Sequence, residues 1–241
     1  MSATAETGHA KNVANTKTLI EYLKGFGAKY NPSNENLLIT NLEAMYAMAD
    51  VKLKKVNTEK ALFKEVEKQR MALFSPYKRL ATRIINALSS SGAPASVVGH
   101  AVTINRKMQG TRAPGSKAKF DKHGKPIKRI SVSQQSYDSK IEHLSKLIEL
   151  LKIEPKYRPN EIELKVVTIE EYHAQLDAIN EKYKEESAPY KNAIIDRNRY
   201  FYAPETGLLA IIQSVKNYVL SAFESTSPEY AQISDLVFRD A

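Results

Sequence analysis

At 241 residues and 42% apolar composition, the chain can build one large or two small hydrophobic cores without a covalent staple. It has no cysteine, which excludes disulfides, thiolate metal sites and cysteine nucleophiles. The formal charge of +9 is unevenly spread: between residues 89 and 137 nine basic side chains face only Asp121, a net +8 that leaves +1 for the rest.

Residues 1–18 are polar and lack the apolar centre of a secretory signal. The longest apolar candidate, Leu208–Ile212, falls far short of the roughly 18 residues a membrane span needs. These features predict a soluble, cytoplasmic protein with no membrane partner.

The first helical pattern covers about 17–26, where Leu19, Tyr22, Leu23 and Phe26 fall at i, i+3, i+4 and i+7. Gly25 and Gly27 end it, and Asn31, Pro32, Ser33 and Asn34 form a turn able to cap the next helix. Over 34–56, Leu38, Leu42, Met45, Ala49, Leu53 and Val56 trace a long apolar stripe. Asn57 and Thr58 predict a break, and Leu62, Val66, Leu73 and Phe74 a third helix ending near Ser75. Pro76 marks either a kink or a turn before a fourth helical piece over 77–88.

Next comes the basic segment. Val97, Val98, Ala101, Ile104 and Met108 predict a short helix within 94–109, with Arg106, Lys107 and Arg112 near its C-terminal end, where the helix dipole favours cations. Asp121, Lys122, His123 and Gly124 suggest a tight turn, the tip of a small hairpin. Gly110 to Lys117 has the glycine spacing of a phosphate loop, but Ser116 precedes Lys117 where the loop needs Lys before Ser or Thr, and no apolar strand leads into it.

From residue 138 the programme runs again. Ile141, Leu144, Ile148 and Leu151 mark an amphipathic helix, and Pro155 and Pro159 bracket a turn. Ile162, Val166, Ile169, Tyr172, Leu176, Ile179 and Tyr183 mark a long helix, with a boundary predicted at Pro189 and a third helix over 190–202. Pro204 and Gly207 precede a last helix over 208–223, and 230–238 is an apolar tail suited to docking on a bundle.

A shift of 127 residues carries Lys29, Tyr30 and Pro32 onto Lys156, Tyr157 and Pro159. The same shift carries Leu23 onto Leu150, Leu37 onto Leu164, Leu42 onto Ile169, Arg70 onto Arg197 and Phe74 onto Phe201. The expected fold is therefore all-α, with two tandem helical-bundle repeats of about four helical segments each. The expected divisions are a tail (1–16), repeat 1 (17–91), a basic insert (92–137), and repeat 2 with its C-terminal tail (138–241). The repeated phrase, together with Ile130 to Asp138, resembles an uncharacterised bacterial family of duplicated helical proteins of about this size. That resemblance implies the helical duplication and no activity.

No catalytic constellation stands out, and the expectation is a non-enzymatic protein that acts by protein contact, as scaffold, adaptor or self-assembling element. Thirteen tyrosines against seven phenylalanines suit interfaces, and the density at Tyr190, Tyr200, Phe201 and Tyr202 marks the candidate contact. The alternative is binding of nucleic acid or another polyanion by Arg106, Lys107, Arg112, Lys117, Lys119, Lys122, Lys125, Lys128 and Arg129 through phosphate neutralisation. Its weak point is that only Phe120 and Tyr137 offer rings to stack on bases. Glu170 and His173 make one Glu-x-x-His motif, but a di-iron bundle needs two, and the first-copy positions are Glu43 and Tyr46. His173 is read as a surface residue. No metal, cofactor or small-molecule ligand is expected.

Overall fold

A computed structural model of the chain describes residues 3–111 and 134–239. The regular structure among the described residues is all helical, without strands. The α-helices are α1 (Ala3–Gly25), α2 (Ile39–Phe74), α3 (Tyr77–Ser90), α4 (Ala95–Gln109), α5 (Tyr137–Ile153), α6 (Val166–Tyr202), α7 (Leu208–Phe223) and α8 (Pro228–Ser234). Short 3-10 turns at Glu35–Leu37 and Ile162–Leu164 lead into α2 and α6.

Two helices are longer than their sequences suggest. The break expected at Asn57–Thr58 is absent, and α2 runs unbroken. Both residues are exposed and cost a helix only a few tenths of a kcal/mol each, whereas Val56, Phe63 and Val66 around them are buried. Likewise α6 continues through Pro189, where the sequence suggests a boundary. An interior proline removes one helix hydrogen bond at a cost of about 3 kcal/mol. Burial of Ser187 and Ala193, and the stacking of Tyr190 on Phe63 at 5.3 Å, hold the helix on both sides of it. At Pro76 the ambiguity resolves as a turn: α2 stops at Phe74, the Ser75 amide donates to the Ala72 carbonyl, and α3 starts at Tyr77.

The chain forms two compact units, divided otherwise than at 17–91 and 138–241. Unit 2 is the continuous stretch Lys64–Glu185; unit 1 joins Met1–Phe63 to Glu186–Ala241. Each takes helices from both halves of the sequence.

In unit 1 the core gathers Leu19, Ile20 and Leu23 of α1, Leu42 and Ala49 of α2, Phe201 of α6, and Leu208, Ile212, Val215 and Val219 of α7. Residues 8–16 belong to α1 rather than to a tail. That stretch buries His9, Asn12 and Thr16 beside Val13, so apolar periodicity alone does not reveal it. Asn12 and Thr16 are hydrogen-bonded: the Asn12 amide donates to the Arg239 carbonyl at 2.8 Å and its oxygen accepts from the Arg239 amide at 3.0 Å, while the Thr16 hydroxyl donates to the Asn12 carbonyl. The C-terminal segment therefore docks, as its apolar pattern suggests, with Leu236 and Phe238 packed on the core and the Leu236 carbonyl accepting from Lys216. Gly207 opens α7 where no side chain fits, since a Cβ there would lie 2.6 Å from the Ala203 backbone.

In unit 2 the core combines Tyr77, Ile84 and Leu88 of α3, Ala101, Ile104 and Met108 of α4, Leu144, Leu147 and Leu151 of α5, and Ile169 and Leu176 of α6. The expected short helix after Pro94 is α4, ended by Gly110 in the left-handed conformation (φ 74°). The suggested hairpin tip at 121–124 lies outside the described residues.

Lys-Tyr-x-Pro has the same local role each time. The buried Tyr30 hydroxyl donates to the Leu37 carbonyl at 2.7 Å, and the buried Tyr157 hydroxyl to the Leu164 carbonyl at 2.8 Å. Each phenol thereby pins the end of the 3-10 turn that launches the following long helix.

Candidate interaction sites

The aromatic cluster expected to face a partner is used inside unit 1. Phe201 is fully buried in the core. Half-buried Tyr200 donates its hydroxyl to the Met45 carbonyl at 3.3 Å, and Tyr202 meets the edge of the His9 ring at 5.6 Å. Tyr190 lies against Phe63. Packing within the unit thus accounts for the density of rings in this stretch.

A different surface is left open in unit 1. Along α2, Ala44, Ala47, Met48 and Val51 are all exposed, Met48 to 45% and Val51 to 56%. Their spacing of i, i+3, i+4 and i+7 places them on one side of the helix, with Leu62, 51% exposed, on the same side three turns later. The core-facing stripe, Leu42, Ala49 and Val56, lies elsewhere on the helix, so α2 is apolar on two faces. Counting the second face would have exposed this signal in the sequence. In α6 the positions 127 residues later are Glu171, Ala174, Gln175 and Ala178, a more polar set.

Of the nine residues proposed for polyanion contact, Arg106 and Lys107 are described, both in the last turn of α4. Arg112, Lys117, Lys119, Lys122, Lys125, Lys128 and Arg129 lie outside the described residues, as does the glycine and proline loop after Thr111.

Unit 2 holds a cation packed between rings. The Arg70 guanidinium lies 4.0 Å from the Tyr137 ring centre and 3.2 Å from that of Tyr183, and donates to Asn180 Oδ1 at 3.3 Å. Asn180 in turn donates to Asp138, which also pairs with Lys184 at 2.8 Å. The hydrogen bond from Lys184 is the main reason that the Asp138 carboxyl stays below its ordinary range. The start of α5 is thereby tied to α2 and α6 by charge and stacking, which is structural work.

Also in unit 2, facing sides of α4 and α5 enclose a groove of about 510 Å³. Its walls include His100, Ile104 and Lys107 from α4 and His143, Leu150 and Ile153 from α5. His143 is 2% exposed, and neither ring nitrogen meets a hydrogen-bond partner. Burial, and next the charge of Lys107, push its pKa below the ordinary histidine value, which keeps the ring neutral at pH 7. Of the other charged lining residues, Lys146 pairs with Glu142 and Glu149 with Lys152. His143 gave no sequence signal, because one histidine on an apolar helix face looks like any core position.

His173 is half-buried rather than superficial, with Nε2 enclosed and unpartnered. Among the described residues no group of three or more His, Asp or Glu side chains is placed to hold a metal ion. No helix among them is long and apolar enough to cross a membrane. In comparison with known proteins, the chain matches no family model, no curated protein and no solved structure.

Proposed function

We propose that this protein acts by protein contact, as a non-enzymatic self-assembling element, and that two copies meet through the outward face of α2 in unit 1. The observation that carries the reading is the exposed row Ala44, Ala47, Met48 and Val51. A solvent-facing apolar row at helical spacing is a surface that association removes from water. A second copy is the occupant because the row complements itself in an antiparallel pairing. Glu43 and Lys54 flank the same edge of the stripe, so that pairing sets each copy's Glu43 against the other's Lys54. Glu43 and Lys54 already pair within the chain with Lys24 and Asp50, and exchange of such exposed partners costs little.

Sedimentation equilibrium of the full chain and of Met48→Glu and Val51→Lys variants tests the reading. Both substitutions alter exposed side chains, so the fold stays intact by circular dichroism. The wild type is expected to be dimeric and both variants monomeric. A monomeric wild type across the accessible concentrations, or dimers that survive both substitutions, would overturn it.

A second reading, binding of nucleic acid or another polyanion, rests on the net +8 between residues 89 and 137. Because α4 ends at Gln109, deletion of 112–129 removes seven of the nine cations and spares that helix. Electrophoretic mobility shift should then lose a salt-sensitive complex; a complex unchanged by the deletion would end this reading. We also infer that the chain is a tandem duplication whose copies exchange halves between the units. The matching phenol-to-carbonyl bonds of Tyr30 and Tyr157 support that inference.

A further inference from the structure

A buried polar atom in a folded protein nearly always has a hydrogen-bond partner, and a side chain that lacks one beside a cavity points to what the cavity takes. His143 is such a side chain. It is 2% exposed, both ring nitrogens are unpartnered, and it lines the groove of about 510 Å³ between α4 and α5, a size typical of small-ligand sites.

The charged groups around the ring are unequal in their commitments. Glu142 is satisfied by Lys146, and Glu149 by Lys152. Lys107, on α4 in the groove wall, feels the Glu142 carboxylate but forms no direct ion pair among the described residues, which leaves its ammonium open to a ligand anion; His100 is the remaining titratable group of that wall. The floor is apolar, and Ile153 stands 81% exposed at its end, where an apolar chain laid in the groove would cover it.

We propose that the α4–α5 groove binds a small amphiphilic carboxylate, its chain along Ile104, Leu150 and Ile153, its carboxylate at Lys107 and accepting a hydrogen bond from the His143 imidazole. The neutral ring offers an N–H to one carboxylate oxygen, and the Lys107 ammonium supplies the opposite charge. A free acid and the end of a lipid share this chemistry, and a groove of about 510 Å³ favours a short chain. This proposal is independent of self-association through α2.

Octanoate is the probe, with acetate lacking the chain and octanol lacking the charge. Each is titrated into the full-length protein while the His143 ring proton is followed by NMR, assigned by its loss in His143→Gln. Octanoate is expected to bind at least about tenfold more tightly than either control, and Lys107→Gln to weaken it by about tenfold. A bound carboxylate should also raise the pH at which the His143 ring titrates, since an adjacent anion favours the protonated form. Lys107 is exposed, so its replacement leaves the fold intact and the comparison interpretable. An unmoved His143 signal at about 5 mM octanoate, equal binding of octanol, or undiminished binding by Lys107→Gln would each overturn the proposal.

Discussion

Replacing Tyr30 by Phe, or Tyr157 by Phe, removes one oxygen and leaves a buried ring in place. In each case a carbonyl, that of Leu37 or Leu164, loses the hydroxyl that reaches it at 2.7 or 2.8 Å. Both tyrosines are under a tenth exposed, so water reaches the orphaned oxygen poorly. The loss should amount to about 1–2 kcal/mol per site, the cost of leaving a buried acceptor unmade. For a chain of this length that corresponds to a fall in Tm of about 2–4 °C per kcal/mol. The two sites share no partner, so the double variant should lose the sum within about 0.5 kcal/mol. Urea and thermal unfolding followed by far-UV circular dichroism measure both quantities. If either variant unfolds like the wild type, within about 0.3 kcal/mol, the phenol does not hold the turn and the role assigned to the repeated phrase is wrong.

Four further outcomes are expected. Burial raises the phenols of Tyr157 and Tyr172 to about 12 and those of Tyr30 and Tyr77 further still; with unfolded values near 10, their contribution is complete below that pH and lost as pH climbs above it. Absorbance at 295 nm should therefore show these tyrosines ionising only as helicity collapses, whereas free titration of all thirteen in a folded chain would contradict it. His143 is depressed chiefly by burial, so the unfolded chain takes up its proton first and stability falls below about pH 6.5 by up to ~1.4 kcal/mol per unit; His143→Gln should flatten that slope in acid denaturation. Gly207→Ala should cost about 1–3 kcal/mol, because backbone atoms of Ala203 occupy the place of the new methyl; an unchanged Tm would refute this. Asn12→Ala breaks both bonds to Arg239 and should speed trimming of the C-terminus by carboxypeptidase, with about 1–2 kcal/mol lost in urea unfolding.

Much of the helical content is legible in the sequence, because the spacing of Leu19, Leu23, Leu144, Leu151, Ile212 and Val219 records one buried face per helix. Helix ends are less so. Asn57, Thr58 and Pro189 look like breaks locally, yet tertiary burial of Val56, Phe63 and Ala193 outweighs them. The partition into units is not legible at all, since periodicity marks a face as apolar without saying which helix will cover it. The same gap explains the sites. The rings at 200–202 read as a surface but fill a core and its margin, and the exposed row at Ala44 to Val51 is hidden beside a stronger stripe on the same helix. His143 lacks its partners only in three dimensions.

Unit 2 is continuous along the chain, from Lys64 to Glu185, so its whole core leaves a ribosome before residue 186 does. Unit 1 has no such fortune. Leu19, Ile20, Leu23 and Leu42 emerge before unit 2 does, but their covering side chains Leu208, Ile212 and Val215 emerge only after it. At roughly 5–20 residues per second the interval is on the order of ten seconds. For that time the N-terminal helices of unit 1 carry uncovered apolar faces, the surface that nascent-chain chaperones recognise, and unit 1 completes its core only after unit 2 has left the ribosome.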